Sequence, residues 1–165
     1  MGNEIGAEHP LSDKLQAILP IPFLVVWALD SFVYKVSTFL MGFISLQIRL
    51  LLACATFIIA FQLLRLSHKA IFDDAHDQPG VIDSRVYRLV RHPMYAGTLL
   101  IYLGFVLSTL SLFSLVYWVG VFLVYDYFAT YEENDLIRIF SEEYIEYQKR
   151  VPKWIPKISS KKQKL

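Results

Sequence analysis

Apolar residues run through this chain in four stretches separated by polar punctuation. The first covers residues 15–34, with Pro20 and Pro22 near its start and Asp30 near its end. Prolines cost little there, because the first N–H groups of a helix have no partner within it. The second covers 48–66, with Arg49 and Arg65 placed where each can reach an interface. Residues 35–47 between them are mixed and suit a loop or a helix extension equally. From 98 to 131 come 34 residues whose only charge is Asp126. One helix of that length would measure about 51 Å, against a hydrocarbon core of about 30 Å. The stretch is therefore predicted to fold back near Ser108-Thr109 to Ser114, giving a hairpin whose two arms barely span.

The remaining segments are polar or mixed. Residues 67–87 read as a loop carrying Asp73, Asp74, His76, Asp77 and Asp83, with a turn signal at Pro79-Gly80. Residues 132–150 predict an amphipathic helix with Leu136, Phe140, Tyr144 and Tyr147 along one face. Val151-Pro152 ends it, and Trp154, Ile155 and Pro156 suit an interfacial anchor. The expected fold is an all-α integral membrane protein of about four membrane segments, the last two a helical hairpin, followed by a cytosolic amphipathic helix. The expected division is a polar N-terminal segment 1–14, two transmembrane helices in 15–66, a C-terminal module 67–158 and a basic tail 159–165.

Composition narrows the class. The chain is 55% hydrophobic and only 19% charged, which a soluble domain of this length would not be. A net charge of +1 gives no basic face for nucleic acid. Cys54 is the single cysteine, so disulfides and cysteine–zinc sites are excluded. The histidines and aspartates of 67–87 match no metal-site spacing, and no metal is expected. Glu4, Glu8 and Asp13 stand where a signal peptide would be basic, and Gly6 stands where myristoylation needs Ser or Thr, so neither is expected. Thirteen of the sixteen Lys and Arg lie at 65–91 or from 138 onward, at the two feet of the hairpin. The positive-inside rule makes that side cytoplasmic, and an even number of crossings puts both termini there.

Candidate chemistry gathers at the same feet. One carries Arg91-His92-Pro93-Met94-Tyr95, the other Glu132-Glu133. A site there could hold a polar cofactor in water while an apolar substrate arrives from the bilayer. An ionisable group just inside the boundary is costly without a partner, which singles out Glu132 and His92. Each residue also has a plainer reading. Arg88 and Arg91 could anchor on lipid phosphate, His92-Pro93 could merely start a helix, and Tyr87 and Tyr95 could be interfacial belt tyrosines. Asp126 could pair with Arg49, Arg65 or Arg91, or face the site.

The ordered set from Arg91 to Gly97, Glu132-Glu133, Phe140 to Tyr147, Val151-Pro152 and Ile155-Pro156 resembles the isoprenylcysteine carboxyl methyltransferase family, within a wider group that includes phospholipid methyltransferases. The resemblance covers roughly 81–158. It implies a methyltransferase module that binds S-adenosylmethionine, capped by the helix after the hairpin. Val81 and Ile82 would give backbone contacts to the nucleoside, Tyr87 an aromatic wall, and Arg91, His92, Pro93, Met94 and Tyr95 the cofactor motif. Glu132 would be the cofactor-binding acid, and Gly97 the small residue that lets helices approach. Glu133, Asp126 or His92 would serve as base if the acceptor were an amine or thiol. The implied partner is a lipophilic or prenylated acceptor. Relatives that methylate a prenylcysteine carboxylate carry an arginine where this chain has Phe128, which removes a bidentate clamp. The alternatives are an NADPH-dependent reductase resembling the sterol reductases, and a non-catalytic scaffold.

Overall fold

A computed structural model describes residues 12–74, 80, 81, 83 and 85–156. Ile82, His76, Asp77 and the lysine-rich tail from 157 onward therefore lie outside the described residues. All regular structure among the described residues is helical. Helix α1 spans Ser12–Ile18 and α2 spans Pro20–Ala28, continued by a π-helical turn at Leu29–Tyr34. Pro20 and Pro22 stand in the first turn of α2, where a missing N–H costs least, and Leu19 between α1 and α2 keeps helical backbone angles. A short 3-10 turn at Phe39–Gly42 leads into α3, Leu46–Asp74.

Helix α3 is longer than the expected 48–66. It continues through the segment read as a polar loop, because polar residues do not stop a helix that lacks Gly and Pro. Ser67 turns its hydroxyl back onto Leu63 O (2.7 Å), and Ala70 is fully buried.

The hairpin forms where expected. Helix α4 is Pro93–Thr109 and α5 is Leu112–Phe140. Leu110 turns the chain at φ 53°, and Ser111 caps α5 by accepting from Ser114 N at 3.1 Å. The arms are unequal. The 17 residues of α4 make about 26 Å, while the 29 of α5 make about 44 Å and project past a 30 Å core. The predicted helix 132–150 is accordingly corrected: nearly half of it, 132–140, is the end of α5, and α6 proper is Glu142–Arg150. Ser141, at φ 50°, makes the bend. The stripe survives the break, since Tyr144 and Tyr147 are buried and Leu136 and Phe140 pack against them.

Among the described residues, three helices are long and apolar enough to cross a membrane: Lys14–Tyr34, Leu46–Ile71 and Leu112–Phe140. Helix α4 is a fourth apolar helix, shorter than these. Apolar side chains such as Leu51, Ile58, Phe61 and Val116 point outward, as a lipid solvent requires. The core lies between α2, α4 and α5, where Phe23 packs edge-on to Tyr102 (4.6 Å) among Tyr95, Leu99, Tyr125 and Phe128. Helix α3 lies against α4 through Gly97 and Gly104. A Cβ at Gly97 would stand 2.8 Å from Leu64 Cγ and 3.2 Å from Ala60 O, and one at Gly104 would stand 2.7 Å from the Phe57 ring.

Candidate active site

His92 is the N-cap of α4 and Pro93 its first residue, so the helix begins without a side-chain cap. The His92 side chain is thereby left for tertiary contacts. It is buried, and its ring stacks on Tyr95 with centroids 5.8 Å apart and planes 9° from parallel. Glu132 and Glu133 are adjacent on α5, about 100° apart around the axis, and both reach the imidazole. His92 Nε2 donates to Glu133 Oε1 (2.8 Å), and Nδ1 lies 3.7 Å from Glu132 Oε2. Tyr95 OH donates to Glu132 Oε1.

Glu133 is the hub. Besides His92 it accepts from Arg91 Nε (2.8 Å), Arg91 Nη2 (3.2 Å) and Gln148 Nε2 (3.1 Å). Arg91 in turn donates Nη1 to Val151 O (2.7 Å) and Gln148 O (3.3 Å), and its backbone N–H to Pro152 O (2.9 Å). A buried ion pair is tolerated only when such extra hydrogen bonds satisfy both ions, and here they do. The result is a rigid foot that ties α4, α5 and the end of α6 together.

Beside this foot lies a cavity of about 420 Å³, within the range of sites that hold a cofactor-sized molecule. The connection before α4 contributes Gly80, Val81 and Tyr87 to its wall, and the α4 foot contributes Arg91 to Tyr95 and Thr98. Helix α5 adds Glu132, Leu136 and Phe140, and α6 adds Tyr144 and Tyr147. Gln16 of α1 and Ile71 of α3 complete it. The connection is held in place by α6: Val81 N donates to Glu143 Oε1 (3.1 Å), Arg150 pairs with Asp83 (3.0 Å), and Tyr147 OH donates to Tyr87 O (2.7 Å). Burial, reinforced by the carboxylate of Glu132, pushes the Tyr87 phenol up to about 12. Burial likewise raises Tyr144 and Tyr147, so the aromatic wall stays neutral at any physiological pH. A carboxylate among neutral aromatic faces suits a ligand that is cationic and partly flat.

The family model for phospholipid methyltransferases matches residues 38–143, well over half of the chain. This chain belongs to the phospholipid methyltransferase family. Protein-S-isoprenylcysteine O-methyltransferase B of Arabidopsis thaliana is 33% identical over 79 residues, which is 46% of this chain. The match spans 39% of that relative's length. No solved structure matches.

Against this phospholipid methyltransferase fold, the residues singled out in the sequence divide cleanly. Val81, Tyr87, Arg91, His92, Pro93, Met94, Tyr95 and Glu132 are all on the cavity wall. Glu133 stands behind His92, and Asp126 is also off the wall. The expected partners of Asp126 are corrected. It pairs with Lys153 (2.6 Å) and accepts from Trp154 Nε1 (2.8 Å), because its face of α5 meets the segment after α6. Arg49 instead binds the carbonyls of Ile44 and Ser108. Phe128 is buried in the core between helices. Arg138, exposed on α5, pairs with Asp135.

Sequence reasoning missed Gln16, Ile71, Gly80 and Thr98 as wall residues, and read Leu136, Phe140, Tyr144 and Tyr147 only as the apolar stripe of a helix. Gln16 carried a usable signal, an amide placed between Leu15 and Ile18 on a helix entering an apolar stretch. Ile71 carried none, since it lies in the part of α3 that was read as loop.

Proposed function

We propose that this chain transfers a methyl group from S-adenosylmethionine to a lipophilic acceptor at the membrane boundary, with the cavity opening on the cytosolic side. The observation that carries the reading is the cavity at the hairpin foot, walled by tyrosines and closed on one side by Glu132. The donor set fits the cofactor, which offers an ammonium, ribose hydroxyls, a purine and a sulfonium. Family membership favours methyl transfer over the reductase reading.

When bound, the cofactor supplies a methyl group already activated on a sulfonium. Every remaining task falls to the protein. Glu132 accepts from the ammonium or the ribose hydroxyls, and Tyr95 OH, bonded to the same carboxylate, holds it in place. Tyr87, Tyr144 and Tyr147 provide faces for the flat and cationic parts. Val81 turns backbone toward the nucleoside, its N–H already held by Glu143. Pro93 and Met94 add apolar surface to the wall. Glu133, with four donors upon it, holds His92 and Arg91 rigid rather than exchanging protons. What the fold contributes is proximity and orientation, the effects an activated electrophile most needs.

Calorimetric titration of the protein in nanodiscs with S-adenosylhomocysteine, beside NADPH, tests the reading. Saturable binding of the former, lost in Glu132→Ala, is expected. Binding of NADPH alone would overturn it.

A further inference from the structure

The segment after α6 is tied to both α4 and α5. Val151 and Pro152 are gripped by Arg91 through their carbonyl oxygens. Two residues on, Lys153 Nζ donates to Asp126 Oδ1 (2.6 Å), to the Asp126 carbonyl (3.1 Å) and to Thr130 Oγ1 (2.7 Å). Trp154 Nε1 donates to the same Asp126 Oδ1 at 2.8 Å. The segment is thus pinned at two points, as a strap along α5.

The indole that Asp126 holds has an aromatic neighbour of consequence. Its ring lies 5.5 Å from Phe122 and 5.9 Å from the imidazole of His92. His92 is held at its edges by Glu133 on Nε2 and by the nearness of Glu132 to Nδ1. Rotation about the Cβ–Cγ bond moves Nε2 little, and Nδ1 stands 3.7 Å from Glu132, so these contacts leave the tilt of the ring open. That tilt is set by ring neighbours, Tyr95 and Trp154. A ring contact alone is weak, so it defines an orientation only where the partner ring is itself fixed. Asp126 fixes it. Asp126 lies six residues before Glu132 on α5, about 9 Å toward the hairpin turn, and off the cavity wall.

We infer that Asp126, Lys153 and Trp154 are positioning residues, a strap that sets the tilt of His92 on the cavity wall. The inference rests on the reading of that cavity as the cofactor site, and it gives Asp126 work that involves no proton transfer. Lys153 neutralises Asp126 at a depth where a lone carboxylate would be costly.

The test uses protein carrying ¹⁵N-histidine in nanodiscs, with the His92 imidazole resonance assigned by its loss in His92→Gln. Asp126→Leu, Asp126→Asn and Lys153→Met remove no aromatic ring, and the two Asp126 variants remove the same charge, so a difference between those two in the His92 resonance reports movement of the rings. Asp126→Leu is expected to displace that resonance without added ligand and to weaken S-adenosylhomocysteine binding roughly tenfold. Asp126→Asn, whose amide oxygen still accepts from the indole, should recover most of both, with Lys153→Met between. An unmoved resonance in Asp126→Leu overturns the strap, even if affinity falls, and an Asn variant as impaired as the Leu variant does the same. Should Asp126→Leu not fold, an unmoved resonance in Lys153→Met overturns it and a displaced one supports it. If the unaltered protein binds no S-adenosylhomocysteine, the cofactor reading fails while the resonance still decides the strap.

Discussion

The two ends of the hairpin solve the same problem and leave different things behind. At the turn, Asp30 is buried, and its carboxylate accepts from Ser37 N (3.0 Å), Ser37 Oγ (2.5 Å) and Ser111 Oγ (2.6 Å). Those two serines then meet the N–H groups of Phe113 and Ser114 at the start of α5. At the feet, Glu133 is as deeply buried and accepts from an arginine, a histidine and a glutamine. The turn network closes on itself with hydroxyls and backbone. The foot network borders a cavity and has a second acid, Glu132, on its wall. A buried carboxylate near a membrane marks a cost that has been met, and only the space beside it separates a hinge pin from a site.

Removing each carboxylate should separate the ends most sharply. Glu133→Ala leaves Arg91 buried without its counter-ion, at a cost of about 3–5 kcal/mol. Asp30→Ala leaves hydroxyls and one N–H short of an acceptor, at about 1–3 kcal/mol. Thermal unfolding in detergent should therefore rank Glu133→Ala below Asp30→Ala. Ligand titration should find S-adenosylhomocysteine affinity lost in the first and kept in the second. Equal loss of affinity in both would mean the ends are mechanically one unit.

Glu132→Gln probes the site without the scaffold. The amide still accepts from Tyr95, so the unfolding midpoint should move little. Loss of a charge-assisted hydrogen bond of about 1.5–3 kcal/mol predicts S-adenosylhomocysteine binding weaker by roughly ten- to a hundredfold. An unchanged dissociation constant would remove Glu132 from the cofactor's contacts.

These contrasts also show what the sequence could convey. The hairpin was legible because 34 nearly uncharged residues exceed what one bilayer crossing needs. The residues on the cavity wall from Tyr87 to Tyr95, and Glu132, were legible mainly through the resemblance of an ordered motif to a known family, with polar groups at both feet of an apolar hairpin pointing the same way. The reach of α3 to Asp74 was hidden, since a helix leaving the bilayer turns polar without stopping. The bend at Ser141 was equally hidden, for neither Gly nor Pro marks it. The partners of Asp126 were missed because 27 residues separate it from Lys153, and only the bend at Ser141 brings that lysine back.

Helix contact offers a smaller test of how independent the ends are. Gly97 lies toward the feet and Gly104 toward the turn. An Ala methyl at Gly97 meets a backbone oxygen, Ala60 O at 3.2 Å, as well as Leu64, whereas at Gly104 it meets the edge of a Phe57 ring that can rotate. Gly97→Ala should cost about 1–3 kcal/mol and also weaken cofactor binding, because α3 and α4 both contribute to the cavity wall. Gly104→Ala should cost less and leave binding intact. The reverse ranking, by unfolding and titration, would place the tight contact at the turn.

The last effect expected is confined to alkaline pH, and it belongs to the feet. Tyr87 ionises at about 12 in the folded protein because burial and the Glu132 carboxylate disfavour its phenolate, against about 10 in an unfolded chain. Between those values the folded state holds a proton the unfolded state has lost. Stability is therefore complete below pH 10, falls as pH rises from 10 to 12, and levels off beyond. Tyr144 and Tyr147 are raised in the same sense and steepen the fall. Tyr87→Phe should remove its share and flatten the decline of the unfolding midpoint over that window, while Glu132→Gln should narrow it by lifting the negative charge. A decline identical in Tyr87→Phe and the unaltered protein would show that this phenol does not lie buried against Glu132.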